Sequence, residues 1–84
     1  MMDKKKQHKK KLSLIYLGDA VRNRRMKLLI TQEELGIRSD LHRTYVTDIE
    51  GGLRNPSYLT LERIAEGLDD KLSKIVKTAE KSAE

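Results

Sequence analysis

Two short helical patterns separated by a three-residue break constrain the fold of this chain most strongly. Thr31 and Glu34 have the T-x-x-E spacing of a capping box, which predicts a helix at about 32–39. After a Ser-Asp-Leu break, apolar residues at helical spacing predict a second helix at about 42–50. A connection this short does not let two helices lie side by side, so we expect them to cross at a steep angle.

The rest of the chain is also typical of helices, because helix-forming residues dominate and runs of β-branched residues are absent. Apolar residues recur at helical spacing in three further segments, at about 13–28, 58–68 and 71–80. Their expected N-caps are Ser13, Ser57 and the pair Asp69-Asp70. We therefore predict one compact all-α domain of five helices over residues 12–80, followed by a frayed tail at 81–84.

Two opposite charges fall on the apolar faces of separate helices. Arg25 interrupts the stripe of the first helix, and Glu50 follows Val46 by four residues on the inward face of the third. We expect the two side chains to meet as a buried ion pair. The alternative is that both lie at the edges of their stripes and reach solvent through their long stems.

The net charge of +5 is concentrated in the first eleven residues, MMDKKKQHKKK, while the remaining chain has equal numbers of basic and acidic residues. This Lys-rich segment lacks apolar periodicity, and we predict that residues 1–11 form a flexible arm. A basic arm on a neutral domain lies along a polyanion or serves as a solubilising tail, and the sequence leaves both alternatives open.

Nothing in the sequence supports catalysis or a cofactor. The chain has no Cys, its two His are not at metal-ligand spacing, and no nucleophile lies beside a plausible base. The longest strictly apolar run, Leu28-Leu29-Ile30, is too short to cross a membrane. We predict a cytoplasmic protein without enzyme activity, cofactor or metal.

The steeply crossed helices indicate a different function. In a helix-turn-helix the first helix contacts the DNA backbone and the second lies in the major groove, where each base pair shows distinct donors and acceptors. The segment HRTYVTD supplies forked and short polar side chains near the start of the second helix, over an apolar back at Val46 and Ile49. These features predict DNA binding.

Four motifs, TQEEL, RTYV-DIE, the NPS loop and TLERIA, occur in an order and spacing that resemble the Cro/C1-type (XRE-family) helix-turn-helix domain. The resemblance covers about residues 14–76 and is greatest to restriction–modification controller proteins and small phage-type repressors. It implies a lambda-repressor-like fold and a sequence-specific transcriptional regulator that binds double-stranded DNA as a homodimer on a palindromic operator. The alternatives are an antitoxin with a toxin partner and a protein-interaction module that uses the same fold.

The resemblance also implies roles for individual residues. Bases are expected to be read by Arg43, Thr44, Asp48 and Thr47, and phosphates to be bound by Gln32, His42, Tyr45, Arg54 and Asn55. Arg25 and Glu50 match the family's internal ion pair. The dimer interface is expected at Leu72, Ile75 and Val76, although this face alternatively closes the core of the protomer.

Among these residues, Arg43 is the main candidate for specificity, because a guanidinium can donate twice to guanine O6 and N7. Asp48 either accepts from cytosine N4 or orients Arg43 or another basic side chain.

Three residues depart from the family pattern. Gly36 stands where Ala is usual, Asp40 where Gly is usual in the turn, and Leu29 where Gly is frequent after the first helix. We expect Asp40 to adopt a positive φ, and the turn at Leu29 to be either strained or differently shaped.

Overall fold

The computed structural model describes the backbone of residues 4–84 and the side chains of residues 12–84. It contains five helices, α1 (Lys4–Lys27), α2 (Gln32–Ser39), α3 (Arg43–Glu50), α4 (Tyr58–Gly67) and α5 (Leu72–Ser82). No strand occurs between residues 4 and 84, and the predicted all-α, five-helix fold is confirmed. None of the helices described is long and apolar enough to cross a membrane.

The predicted start of the first helix is wrong. α1 begins at Lys4 and not near residue 13, so Ser13 lies inside the helix and is not its N-cap. Lysine is a good helix former, and adding a residue to an existing helix is far easier than nucleating one. The flexible arm predicted over residues 1–11 falls on residues 1–3, which lie outside the described residues, and on 4–11, for which only the backbone is described.

The N-termini of α2 and α4 agree with the predicted caps. Thr31 Oγ1 accepts a hydrogen bond from the Glu34 backbone N–H at 3.0 Å, and Ser57 Oγ accepts one from the Thr60 N–H at 3.2 Å. Each bond satisfies one of the N–H groups that a helix leaves unpaired at its start. Local sequence therefore determines where both helices begin.

The boundaries of α5 differ from the prediction at both ends. Its N-cap is Lys71, which makes no side-chain capping bond. Asp70 accepts the Lys71 backbone N–H at 2.8 Å and is ion-paired with Arg24 at 3.5 Å, so it bonds no N–H inside the helix. Asp70 therefore lies one position too early to cap the helix. α5 also continues to Ser82, so two residues of the predicted frayed tail are helical.

A single hydrophobic core holds the inner face of α3. α1 packs against α5 and α3, and α2 packs against α3 and α4. The largest fully buried side chains are Leu35, Ile49, Ile64, Leu68, Glu50, Val21 and Val46. Burying an aliphatic side chain contributes about 1.5–3 kcal/mol. Val46 and Ile49 therefore anchor α3 strongly, and its opposite face is left to solvent.

The turn between α2 and α3 forms at Asp40, which adopts the expected left-handed conformation with φ 55°. The Leu41 N–H donates to the Gly36 carbonyl at 2.8 Å, and a Cβ on Gly36 would lie 2.6 Å from the Leu41 oxygen. Arg63 of α4 adds three bonds, from Nε to the Ser39 carbonyl at 3.1 Å and from Nη2 to the Asp40 carbonyl at 2.7 Å and Asp40 Oδ2 at 3.0 Å. Glycine at position 36 and the Arg63 guanidinium together close this turn.

Replacing Leu29 by glycine should raise the free energy of unfolding by about 0.5–1 kcal/mol. Leu29 has φ 58° and is 91% exposed, so its side chain is strained in the left-handed region and loses little packing when removed. Relief of about 1–2 kcal/mol of strain is partly offset by the greater chain entropy of glycine. Urea unfolding measures the change. Leu29→Ala, which retains Cβ, is the control and should remain close to the wild type; a Leu29→Gly midpoint below that of the wild type would contradict the prediction.

Candidate nucleic-acid interface

The outward face of α3 is polar and accessible. Arg43, Thr44 and Thr47 are exposed, and Asp48 is half-buried. His42 precedes this face as the N-cap of α3, where its Nδ1 accepts a hydrogen bond from the Thr44 N–H at 3.1 Å. The structure therefore brings all four predicted base-reading residues to one side of one helix, and assigns His42 a capping role at its start.

Arg43 differs from the other arginines of the chain in having a free guanidinium. The sequence contains seven arginines. The side chains of six of them have a hydrogen-bond or ion-pair partner, namely Arg22, Arg24, Arg25, Arg38, Arg54 and Arg63. Within residues 12–84, the Arg43 side chain has no hydrogen-bond or ion-pair partner. Its five N–H donors are therefore available to a ligand at the first turn of α3.

A buried ion pair lies directly behind α3. Arg25 Nε donates to Glu50 Oε2 at 2.7 Å and Nη2 donates to Oε1 at 3.0 Å, while the Glu50 side chain is completely buried. Arg25 Nη1 also donates to the Ile30 carbonyl at 2.9 Å. Arg22 is more distant, with Nε 3.6 Å from Glu50 Oε1. The bidentate pair links α1 to the last residue of α3 and holds the Glu50 charge without solvent.

Gln32 and Thr47 extend this ion pair towards the surface. Gln32 Nε2 donates to Glu50 Oε1 at 3.1 Å, and Thr47 Oγ1 donates to Gln32 Oε1 at 2.8 Å. The Thr47 hydroxyl also lies 3.1 Å from the Arg43 carbonyl. A predicted phosphate ligand and a predicted base reader are thus hydrogen-bonded to each other and, through Gln32, to the core.

The loop after α3 is held against it by a second cluster. The Arg54 guanidinium carbon lies 4.7 Å from the centroid of the Tyr45 ring, and its Nε lies 3.6 Å from Asp48 Oδ2. Of the two roles considered for Asp48, orientation of a basic side chain fits this contact, and the side chain concerned is Arg54. Asn55 is exposed on the same loop.

The three residues predicted for the dimer interface lie on one face of α5 but differ in burial. Ile75 is 3% exposed and packs in the core of the protomer, because the same face of α5 carries buried Ala79 towards the interior. Leu72 and Val76 are half-buried. Val76 borders an apolar cavity of about 240 Å³ between α1, α4 and α5, whose other lining residues include Tyr16, Leu17 and Leu61.

A helix-turn-helix family model matches residues 21–75 of the chain, which include α2, the turn and α3. The chain belongs to the XRE-type helix-turn-helix family. Control protein C.BamHI of Bacillus amyloliquefaciens is 44% identical over 55 residues, which are 64% of this chain and 68% of that protein. Control protein C.MunI of a Mycoplasma species is 41% identical over 58 residues, or 69% of this chain and 78% of that protein.

A solved structure similar to this chain is also that of a controller protein. The crystal structure of the restriction–modification controller protein C.AhdI from Aeromonas hydrophila has a TM-score of 0.73 and 32% identity, and covers 74% of this chain and 94% of that one. The predicted family and the predicted class of function, a helix-turn-helix DNA-binding transcriptional regulator, are confirmed. The family is one of DNA-binding regulators.

Two residues that support this interface were missed by the sequence-based predictions. Arg63 closes the turn of the helix-turn-helix motif from α4. Gly18 lies where α1 meets the end of α3, since a Cβ there would contact the Ile49 and Glu50 carbonyl oxygens. A glycine inside a helical pattern is itself a signal of close packing, but an exposed-looking arginine carries no comparable signal.

Proposed function

We propose that this protein is a sequence-specific transcriptional regulator of the restriction–modification controller type, which reads operator DNA with α3 in the major groove. The observation that carries the proposal is the free, exposed Arg43 guanidinium on the first turn of a helix whose back is anchored in the core. Helix-turn-helix proteins contact base edges with the N-terminal residues of this helix. The control-protein relatives support the controller assignment.

Base reading is assigned to Arg43 and Thr44. The Arg43 fork matches guanine O6 and N7, and the exposed Thr44 offers a methyl group to thymine or a hydroxyl to another base edge. Asp48 reads no base in this proposal. Its carboxylate is paired with Arg54, which reduces its repulsion of nearby phosphates.

Phosphate contacts are assigned to residues that flank α3 on both sides. Gln32 and His42 lie at the N-termini of α2 and α3, where the helix dipoles favour an anion. On the other side, Tyr45, Arg54 and Asn55 form an edge of ring, guanidinium and amide along the following loop. Contacts of this kind position the helix without reading sequence.

We also propose that the regulator binds as a homodimer. One short recognition helix contacts only a few base pairs, and a two-fold dimer doubles the site. The apolar cavity beside Val76 and the half-buried Leu72 place unfilled and partly exposed apolar surface on the α5 side of the protomer. Ile75 contributes through the core beneath this surface and not by direct contact.

Arg43→Ala should reduce the preference of the protein for its operator over a variant changed at one base pair by roughly 5- to 150-fold. This range corresponds to the about 1–3 kcal/mol that a bidentate arginine contributes to base discrimination. The operator is first selected with the wild-type protein from a random DNA library. Equilibrium binding of both proteins to that operator and its single-base variants, at one fixed salt concentration, measures the change.

Arg43→Lys is the matched control, because it retains the charge but loses the fork. It should lose part of the discrimination at the same base pair, because an ammonium still donates to guanine but without the planar fork, while its salt dependence stays that of the wild type. Two inverted half-sites about one helical turn apart in the selected operator support the dimer, and a single half-site contradicts it. Selection without a consensus contradicts sequence-specific binding, and unchanged DNA binding by Arg43→Ala favours the protein-interaction alternative.

A further inference from the structure

We propose that Thr47 is a positioning residue that fixes the Gln32 amide as a phosphate donor, and that its hydroxyl does not donate to a base. This inference rests on the proposed function, because it concerns how the same interface binds DNA. It starts from the chain of hydrogen bonds that runs from Thr47 through Gln32 to the buried Glu50 carboxylate. Each of these two hydrogen bonds has only one favourable position for its proton.

The Glu50 carboxylate decides which way the Gln32 amide faces. Gln32 Nε2 lies 3.1 Å from Glu50 Oε1, and the Glu50 side chain is completely buried. With the amide turned over, its oxygen would face an ionised carboxylate, and two acceptors with no proton between them repel each other. A buried acceptor of this kind therefore settles the amide orientation and directs Gln32 Oε1 towards Thr47.

The orientation of the amide then determines the position of the Thr47 proton. The hydroxyl has one proton and two acceptors within reach, Gln32 Oε1 at 2.8 Å and the Arg43 carbonyl at 3.1 Å. The Arg43 carbonyl already accepts a backbone N–H within the helix, whereas the amide oxygen has Thr47 as its partner. The shorter bond to Gln32 consumes the only donor of Thr47, so none remains for a base.

The Gln32 amide keeps one N–H that can bind a ligand. Its second N–H has no partner within residues 12–84, and Gln32 lines a hollow of about 350 Å³ together with Arg25, Thr31, Glu33 and Arg43. Held by Glu50 on one side and Thr47 on the other, the amide cannot rotate away from this hollow. A DNA phosphate at the N-terminus of α2 would then meet a donor that is already oriented, which reduces the entropy lost on binding.

Thr47→Val tests this inference, because valine has nearly the same shape and lacks the hydroxyl. Binding of the full chain to the selected operator is measured at several salt concentrations and against all single-base variants. Affinity for the operator and for every single-base variant should fall together, by roughly 2- to 10-fold, the contribution of one hydrogen bond, while the slope of log affinity against log salt stays that of the wild type, because an uncharged amide releases no counterion. Discrimination among base pairs should stay that of the wild type. Thr47→Ser, which restores the hydroxyl, should recover the wild-type affinity.

Gln32→Ala provides the second arm of a double-mutant cycle. It should reduce affinity evenly across sequences as Thr47→Val does, and adding Thr47→Val to it should reduce affinity no further. Lost discrimination at one base pair in Thr47→Val, with affinity for the other variants unchanged, would overturn the inference and make the Thr47 hydroxyl a base reader. Additive effects of the two changes, or no effect of Thr47→Val, would also overturn it. Failure of the wild-type protein to select any operator would instead contradict the proposed function.

Discussion

Arg25→Ala is expected to lower the free energy of unfolding by about 3–5 kcal/mol, the largest effect of any single change considered for this protein. The substitution removes both bonds to Glu50 and the bond to the Ile30 carbonyl, and leaves a completely buried carboxylate with Gln32 as its remaining close donor. A small domain has little stability to lose. Urea unfolding followed by circular dichroism should therefore show a much lower midpoint or a chain unfolded without denaturant.

Arg22→Ala is the matched control for this prediction. Arg22 lies on the same helix and approaches the same Glu50 oxygen, but at 3.6 Å and with 45% of its side chain exposed. Exposed pairs of this kind contribute about 0–1 kcal/mol. Similar losses of stability in the two variants would mean that the bidentate geometry of Arg25 has no special importance, and would contradict the prediction.

Gly18→Ala should lower the free energy of unfolding by about 3 kcal/mol and weaken DNA binding. A Cβ at this position would contact the Ile49 carbonyl oxygen and would lie 2.5 Å from the Glu50 carbonyl oxygen. Both are backbone atoms at the end of α3, so the strain is relieved only if α1 and α3 move apart. Such a movement also displaces Arg25 from Glu50. Urea unfolding and operator binding of the same variant measure the two consequences.

Gly51→Ala is the corresponding control, because it adds the same methyl group next to the same helix. Its Cβ would meet the Thr47 oxygen at 3.4 Å and the Asp48 oxygen at 3.8 Å, which are ordinary contacts, and its φ of −84° suits any residue. The change should leave stability within about 1 kcal/mol of the wild type or raise it slightly. An equal loss in both glycine variants would show that close packing of α1 on α3 is not the cause.

The helix starts show which features of this fold are determined by residues close together in the sequence. Thr31 and Ser57 cap the helices that the sequence predicted, because a capping bond joins residues only three apart. The start of α1 was predicted wrongly because serine is a common N-cap residue, although the residues before Ser13 can also be helical. The Lys-rich segment contains no residue that stops a helix, and a helix with no stop signal continues through good helix formers.

At the DNA-binding site, too, the sequence predicted some features, and others appear only in the structure. Helical periodicity placed Arg43, Thr44, Thr47 and Asp48 on one outward face, and the structure agrees. Periodicity does not tell what each side chain contacts, however. Pairing of Asp48 with Arg54 depends on how the loop returns over Tyr45. Closure of the turn by Arg63 depends on α4 lying beside α2.

The sequence by itself determined that this chain forms five helices, that two of them cross at a short turn, and that the second presents Arg43 outwards. These features follow from interactions within one or two helical turns, which a linear pattern records. Only the tertiary structure decided that Ile75 belongs to the core and that Thr47 is bonded to Gln32, 15 residues away. A hydrogen bond requires its two atoms within about 3 Å of each other, and for residues on different helices this distance is set by the packing of the whole core.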